Sequence, residues 1–171
     1  MPPTWYLRAC LSKPNEALAL SRPMSESPSV NPPSTASNLK RALVDAGFEV
    51  FRTRGDEIVL AERPRENLIM DSGVRLVARE PLEVHVVLRA QKADFPNEDD
   101  ARLFGRVRAL ATTILSRGFA EKGTAQTRVE DPGDPTRILD VFYEITFSKT
   151  AAALDDALDT LKFALALEKR A

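Results

Sequence analysis

The sequence predicts an α+β domain in which helices cover one face of an antiparallel sheet. Several segments carry apolar residues at every second position, which is typical of half-buried strands, and turn residues separate these segments. Three other segments carry apolar residues at every third or fourth position, which is typical of amphipathic helices. Strands that arrive as hairpins form an antiparallel sheet, and helices must bury its apolar face. The predicted element order is α-β-β-β-β-α-β-β-α.

The first 36 residues differ in composition from the rest of the chain. They hold seven of the 12 prolines, and the stretch 23–37 is nearly free of large apolar side chains. Such a segment cannot bury enough apolar surface to offset the entropy that it loses on ordering. We therefore predict a disordered, Pro/Ser-rich N-terminal arm over residues 1–36 and a single α+β domain over residues 37–171.

The overall composition is that of an ordinary globular protein without a charge bias. The 24 Lys and Arg residues nearly balance the 25 Asp and Glu residues, so nucleic acid is not an expected partner. No window approaches the roughly 18 consecutive apolar residues of a membrane span. Lys13, Pro14 and Glu16 interrupt the N-terminal apolar patch before a signal sequence can form, and the single cysteine, Cys10, cannot form an internal disulfide. We expect a cytoplasmic protein that does not bind membranes.

Three helices are predicted from apolar spacing and from residues that favour helix ends. The first begins at Ser37, a candidate N-cap, and ends at Gly47, which suits a left-handed stop. The second begins after Asn97, a candidate N-cap followed by acidic residues, and ends at Gly118. The third closes the chain. The apolar stripes of the three helices are Leu39, Leu43 and Ala46; Leu103, Val107, Leu110 and Ile114; and Leu154, Leu158, Leu161 and Leu165.

The strands are predicted from alternation between turns. Turn residues at 54–56, at 71–73 and in the DPGDP sequence at 131–135 divide the alternating segments. The last strand turns Tyr143 and its apolar neighbours toward the core and leaves Phe142 on the polar face. The predicted strands occupy residues 48–50, 58–60, 74–78 and 82–91, an additional short strand at Asn67–Met70, and the two arms of a hairpin on either side of 131–135.

The strand at 82–91 contains His85, the only histidine of the chain. Alternation places His85 on the half-solvated face of the sheet, together with Glu83, Val87 and Arg89. A general base needs a positioned partner, and Glu83 offers either such a partner or an ordinary ion-pair contact. Since no nucleophile or metal ligand lies at a meaningful spacing, we interpret His85 as a structural residue.

No catalytic, cofactor-binding or metal-binding residues are predicted. The sequence lacks the glycine-rich phosphate-binding patterns, and Cys10 lies in the predicted arm. The acidic run at 98–100 fits the N-terminal end of a helix better than a metal site, because adjacent carboxylates splay around the helix axis. Arg102, Arg106 and Arg108 lack interleaved aromatic residues and are interpreted as a solvated helix face. We expect that the protein is not an enzyme and uses no cofactor.

The succession of helix, meander, helix, hairpin and helix resembles type III secretion chaperones and the related YbjN-type domains. The resemblance covers nearly all of residues 37–171, and the strand at Asn67–Met70 is an addition to the pattern. It implies a cytoplasmic, often homodimeric domain that uses open sheet edges and apolar grooves to hold an extended segment of another protein. No catalytic residues carry over, because those families are not enzymes. The stretches that carry the resemblance are ALVDAGFEVFRTRGDEIVLA, the long strand with the helix through PNEDDARLF, and EITFSKTAAALDDALDTL.

Protein binding, as a chaperone-like or adaptor domain, is therefore the predicted function. The partner is another protein or a second copy of this chain, and the candidate binding surface consists of Phe142, His85, Val87 and Arg89. Two alternatives stay open. One is a small-ligand sensor whose sheet and final helix enclose a cavity of roughly a few hundred cubic ångströms, and the other, least favoured, is an enzyme with a site around His85.

Overall fold

The structure, a computed structural model, describes residues 35–171. The predicted N-terminal arm lies outside the described residues except for Thr35 and Ala36. The order of helices and strands confirms the predicted α+β class and element order. The elements are α1 (Ala36–Asp45), β1 (Val50–Arg54), β2 (Glu57–Arg65), β3 (Leu68–Val77), β4 (Leu82–Gln91), a 3-10 turn (Lys92–Asp94), α2 (Asp100–Leu115), β5 (Ala120–Asp131), β6 (Asp134–Ala151) and α3 (Leu154–Leu165).

The six strands form one antiparallel sheet in the order β1-β2-β3-β4-β6-β5. The first four strands follow one another along the sheet as a meander. Helix α2 then crosses the sheet and leads into the β5–β6 hairpin. In this hairpin β6 pairs with β4, so β5 is the outermost strand. The β4–β6 ladder is regular over the whole length of β4, from Leu82 opposite Ala151 to Gln91 opposite Phe142. This ladder is the centre of the sheet.

All three helices pack on the same face of the sheet, which we call the inner face. The side chains that point inward from β2, β3, β4 and β6 and the apolar stripes of the helices form a single core cluster. Its fully buried members include Leu43 on α1, Leu103, Val107 and Ile114 on α2, Leu161 on α3, and Ile58, Leu60, Val74, Leu76, Val84, Val86, Leu88, Ile145 and Phe147 on the strands.

Both predicted N-caps are displaced from the positions that the structure uses. Thr35 caps α1, accepting a hydrogen bond from the N–H of Asn38 over 3.4 Å, whereas Ser37 lies inside the helix. Asp99 caps α2, accepting from the N–H of Arg102 over 2.8 Å, whereas Asn97 lies before it. Capping requires only an oxygen within reach of an N–H in the first turn. Sequences with several adjacent Ser, Thr, Asn and Asp residues therefore do not single out one cap.

The predicted turn at Asp71–Gly73 and the predicted separate strand at Asn67–Met70 are both wrong. Residues 68–77 form one strand, β3, and the chain reverses before it at Glu66–Asn67. The turn-forming side chains are used inside the strand: the Asp71 carboxylate accepts from the N–H of Gly73 over 2.8 Å, and Gly73 adopts a φ of +75°. These local bonds produce a bulge, which shifts the register with β2 without reversing the chain.

The apolar stripe of α3 is centred one position away from the predicted leucines. Ala157, Leu161 and Ala164 are buried, while Leu154, Leu158 and Leu165 are half-buried at the flanks of the contact. A helix that presents alanine to a sheet approaches it closely, so the leucines on either side cover the rim of the core.

Candidate protein-binding surface

The face of the sheet opposite the helices, here called the outer face, carries all four residues of the predicted binding surface. His85, Val87 and Arg89 alternate along β4, and Phe142 lies on the neighbouring β6. Val87 is buried and His85 is only 8% exposed, while Arg89 and Phe142 are half-buried. The Arg89 guanidinium carbon lies 6.0 Å from the centre of the Phe142 ring. Arg89 and Phe142 are therefore the two members that present appreciable surface to a partner.

His85 belongs to a compact charged cluster at one end of the outer face. Its Nε2 lies 2.7 Å from a Glu83 carboxylate oxygen, and the Lys122 ammonium donates to the same oxygen over 2.6 Å. Lys122 comes from β5 at a bulge between Glu121 and Gly123. The hydrogen bond from His85, followed by that from Lys122, lowers the pKa of Glu83 from 4.5 to about 2. Glu83 is therefore held as a carboxylate between two nitrogen donors.

The geometry of this cluster fits an ion-pair network rather than an acid–base pair with a nucleophile. Ser148 lies opposite His85 on β6, but the structure shows no hydrogen bond between them. None of the five cavities described for residues 35–171 is lined by His85. Within the same residues there is no group of three or more His, Cys, Asp and Glu side chains that could hold a metal ion.

A short apolar strip lies on the outer face among paired charges. Val59, Val77 and Val87 are each at most 4% exposed. A guanidinium nitrogen of Arg75 lies 3.5 Å from a carboxylate oxygen of Glu57. A guanidinium nitrogen of Arg89 likewise lies 3.4 Å from a carboxylate oxygen of Glu144. The centre of the sheet is thus buried on both of its faces.

The edge strand β5 contrasts with that centre. Ten of its twelve residues are exposed, and only Val129 and Asp131 are half-buried. One side of β5 pairs with β6, and on its other side the described part of the chain contributes no strand. The stretch from Gly123 to Thr127 contains no charged residue. This stretch is an open edge without the charges that usually protect one.

The ladder pattern identifies the backbone groups that β5 presents to solvent. Arg89 directs its N–H and C=O away from β6, toward residues 169 and 171. Because both backbone groups of a residue in an antiparallel ladder point to the same side, Glu144, which lies opposite Arg89, directs its groups toward β5 and Ala125. The alternate residues Thr124 and Gln126 therefore direct their N–H and C=O groups outward.

The distal part of the β5–β6 hairpin projects beyond β4 as a two-stranded ribbon, which we call the ribbon arm (residues 128–141). The last residue of β4, Gln91, pairs with Phe142, so β6 residues before Phe142 pair with β5 alone. At the base, the Asp140 carboxylate accepts hydrogen bonds from the Gln91 side chain and from the N–H of Ala93. Near the middle, Ile138 and Leu139 are 41% and 49% exposed, at a point where the register between β5 and β6 shifts.

Two members of the predicted surface also line a small cavity. Arg89 and Phe142 enclose about 150 Å³ together with residues from β3, from the segment after β4 and from the end of the described chain. The remaining lining residues are Met70, Gln91, Asp94, Arg170 and Ala171. The last two reach this cavity because residues 169–171 run alongside β4.

Sequence reasoning missed Lys122, the open stretch of β5 and the segment beside β4. Lys122 is separated from Glu83 by 39 residues, and only the β4–β6–β5 strand order brings them together. The lack of charge between Gly123 and Thr127 was visible in the sequence, but its meaning depends on β5 being outermost.

No helix among residues 35–171 is long and apolar enough to cross a membrane. Comparison of the chain with family models, with curated proteins and with solved structures found no match. The resemblance to type III secretion chaperones and YbjN-type domains therefore stays a prediction.

Proposed function

We propose that this protein is a non-enzymatic protein-binding domain, of a chaperone-like or adaptor kind, that holds an extended segment of its partner along β5. The observation that carries the proposal is the twelve-residue outer strand, which is exposed on both faces and along one edge pairs with no other strand of residues 35–171. An extended peptide that pairs with such an edge satisfies its own backbone groups and those of the edge.

The open stretch from Gly123 to Thr127 supports a binding role because natural sheet edges are usually protected. Common protections are a short strand, a bulge, or charged side chains that discourage pairing. The bulge of β5 lies at Lys122, whose ammonium is turned onto Glu83 across the outer face. The five following residues keep a regular register with β6 and carry no charge.

The ribbon arm supports the same function with apolar contact area. A two-stranded ribbon is marginally stable in water, and it gains little from side chains that stay exposed. Ile138 and Leu139 each leave nearly half of their surface uncovered. A partner strand on β5 would extend beside the arm and bury part of this surface. A second copy of the chain, paired through the same edge, is one partner that would do so.

The proposal is tested by Thr124→Pro, which removes one outward N–H while leaving the pairing of Ala125 with Glu144 intact. The matched control is Thr124→Val, which keeps the N–H and suits a strand. Wild-type protein and both variants serve as bait for capture from the native host, and their masses are measured by size-exclusion chromatography with light scattering. The bait is prepared as the full chain and as residues 35–171, which keep the Thr35 cap of α1.

We expect that Thr124→Pro loses a partner, or a dimer, that wild type and Thr124→Val retain, because proline cannot donate to an added strand. Retention by residues 35–171 would assign binding to the domain rather than to the N-terminal segment. If all three proteins capture the same partner equally and have the same mass in solution, β5 is not the binding edge.

A further inference from the structure

The sheet contains a second place where strand pairing is incomplete. β3 and β4 pair only from Val74 opposite Val86 to Val77 opposite Glu83. Beyond that point the first half of β3 stays with β2, while the second half of β4 continues along β6. The two strands therefore diverge and leave a slot, which we define as the space between residues 68–72 of β3 and residues 87–91 of β4.

Gly73 lies where the slot opens. A Cβ at this position would stand 2.9 Å from the carbonyl oxygen of Val87, and the φ of +75° is one that other residues rarely adopt. The bulge at Gly73 therefore allows β3 to touch β4 closely and then turn away from it.

Residues 169–171, here called the tail strand, occupy this slot. The N–H of Arg89 donates to the carbonyl of Lys169 over 2.9 Å, and the N–H of Ala171 donates to the carbonyl of Arg89 over 3.0 Å. The resulting bridge between Arg89 and Arg170 is parallel. Two backbone bonds are few for a strand, so the tail strand is held mainly by its side chains.

Those side chains, Lys169 and Arg170, make the contacts that hold the tail strand in the slot. Lys169 is only 8% exposed. Its ammonium donates hydrogen bonds to the carbonyls of Ala164, Leu165 and Leu167 over 3.4, 3.1 and 2.8 Å. The Lys169 side chain thereby caps the C-terminal end of α3. Arg170 forms an ion pair with Glu62 on β2. Ala164 and Leu165 belong to α3, whereas Leu167 lies beyond it, so a lysine followed by an arginine fits the last carbonyls of α3 on one side of the slot and the Glu62 carboxylate on the other.

We propose that the slot is a strand-acceptor site for an extended peptide of a partner that carries adjacent Lys and Arg, and that the tail strand occupies it as an intramolecular competitor. The incoming peptide lies parallel to β4 and forms backbone hydrogen bonds with the N–H and C=O of Arg89. Its lysine side chain reaches the C-terminal end of α3, and its arginine side chain forms an ion pair with Glu62. The cavity beside Arg89, Gln91 and Phe142 adjoins the end of the tail strand and receives the residue that follows the arginine.

This site is independent of the binding edge proposed above. The slot lies on the β3 side of β4, whereas β5 lies beyond β6 on the opposite side. Thr124→Pro leaves the slot unchanged, and a change of Glu62 leaves β5 unchanged. Failure of one proposal therefore does not imply failure of the other.

The test separates the acceptor from its competitor. The chain is shortened after Ala166, and a fluorescent peptide with the sequence of residues 167–171, LEKRA, is titrated into the shortened and the full-length protein. A short tether gives the tail strand an effective concentration of about 1 mM or more. The shortened chain should therefore bind the peptide at least about tenfold more tightly than the full-length chain.

A charge exchange tests the recognition itself. Glu62→Arg in the shortened chain should weaken LEKRA binding, and a peptide in which Arg170 is replaced by Glu should restore it. If the shortened chain is unfolded alone, LEKRA should restore its helical circular dichroism signal. A folded shortened chain that does not bind LEKRA, binding that ignores the charge exchange, or an unfolded chain that LEKRA does not restore would each overturn the proposal.

Discussion

The centre of the sheet and the ribbon arm share one secondary structure but differ in what stabilises them. In the centre, Ile58 and Leu76 lie opposite each other and are fully buried on the inner face, and Val59, next to Ile58 on β2, is buried on the outer face. In the arm, Ile138 and Leu139 both remain exposed. Burying one such side chain contributes about 1.5–3 kcal/mol. The centre is therefore stabilised by burial on both of its faces, whereas the arm depends on its backbone ladder and on its attachment at Asp140.

This difference separates residues that maintain the fold from residues available for binding. The core side chains have no surface left for a partner, so changing them should alter stability. The arm and the open stretch of β5 contribute little to burial, so changing them should alter partner binding and local motion. The predictions below test this division.

The largest contrast is expected between Phe147 and Leu139, which lie on the same strand. Phe147 is 1% exposed in the core, and Phe147→Ala should lower the free energy of unfolding by about 3–5 kcal/mol through lost contacts and a cavity. Leu139→Ala in the arm should change it by about 0.5 kcal/mol or less. Urea denaturation followed by circular dichroism measures both. Equal losses would show that the arm is part of the cooperative core.

A second contrast compares the same substitution in the two regions. Gly73→Ala in the centre should cost about 1–3 kcal/mol, because the new Cβ meets the Val87 carbonyl and the positive φ disfavours alanine. Gly123→Ala in β5 has nothing within 4 Å of its new Cβ and should be neutral or slightly stabilising. Thermal and urea midpoints provide the measurement. A Gly73→Ala protein as stable as wild type would mean that β3 and β4 separate without strain.

The third contrast compares the carboxylate of Glu83, in a partly buried ion-pair cluster, with that of Glu121, in an exposed ion pair. Glu83→Gln should lower stability by about 1–2 kcal/mol at pH 7, since it removes the charge that His85 and Lys122 share. Glu121→Gln breaks a pair with Arg108 in which both side chains are at least 40% exposed, and should change stability by roughly 0–1 kcal/mol.

The stabilising effect of Glu83 should also depend on pH in a defined direction. Its folded pKa is about 2, below the ordinary value of 4.5, so the contribution is complete above about pH 4.5 and is lost as the pH falls from there toward 2. The stability difference between wild type and Glu83→Gln should therefore shrink between pH 5 and pH 3. A difference that is constant over this range would contradict the cluster as described.

The smallest global effect is expected at the base of the arm. Asp140→Ala removes the acceptor for the Ala93 N–H and the Gln91 amide, and should cost about 1 kcal/mol or less in global stability. Hydrogen exchange should nevertheless become faster at the amides of residues 128–139, while the β4–β6 amides stay protected. Asp140→Asn keeps a carbonyl acceptor and should behave more like wild type. If hydrogen exchange at residues 128–139 is unchanged in Asp140→Ala, Asp140 does not hold the base of the ribbon arm.

The element order could be predicted because alternation and helical spacing are local. Ile58 and Leu60, or Leu103 and Val107, show their spacing within a few residues, and their burial follows directly. The strand order could not, since nothing near Leu82 indicates that it pairs with Ala151 across an intervening helix and hairpin. The bulge in β3 was misread for a related reason. The same Asp-Ser-Gly bonds serve a turn or a bulge, and the neighbouring strands decide between them.

Only the contacts within a single strand of the candidate site could be predicted from the sequence. The sequence placed His85 on the same face as Glu83, and the structure joins them over 2.7 Å. Lys122 and the tail strand at Lys169 could not be found, because both depend on contacts between elements far apart in the chain.

The hydrogen bonds to the Asp140 carboxylate fix the base of the ribbon arm and so determine how far the arm extends beyond the sheet. With β4 ending opposite Phe142 and the hairpin turning after Asp131, the free part of β5 runs from Arg128 to Asp131, so the ribbon extends only about 10 Å at the usual rise of a strand. Because the arm is this short, its exposed side chains stay close to the β5 edge, where one partner strand would contact both.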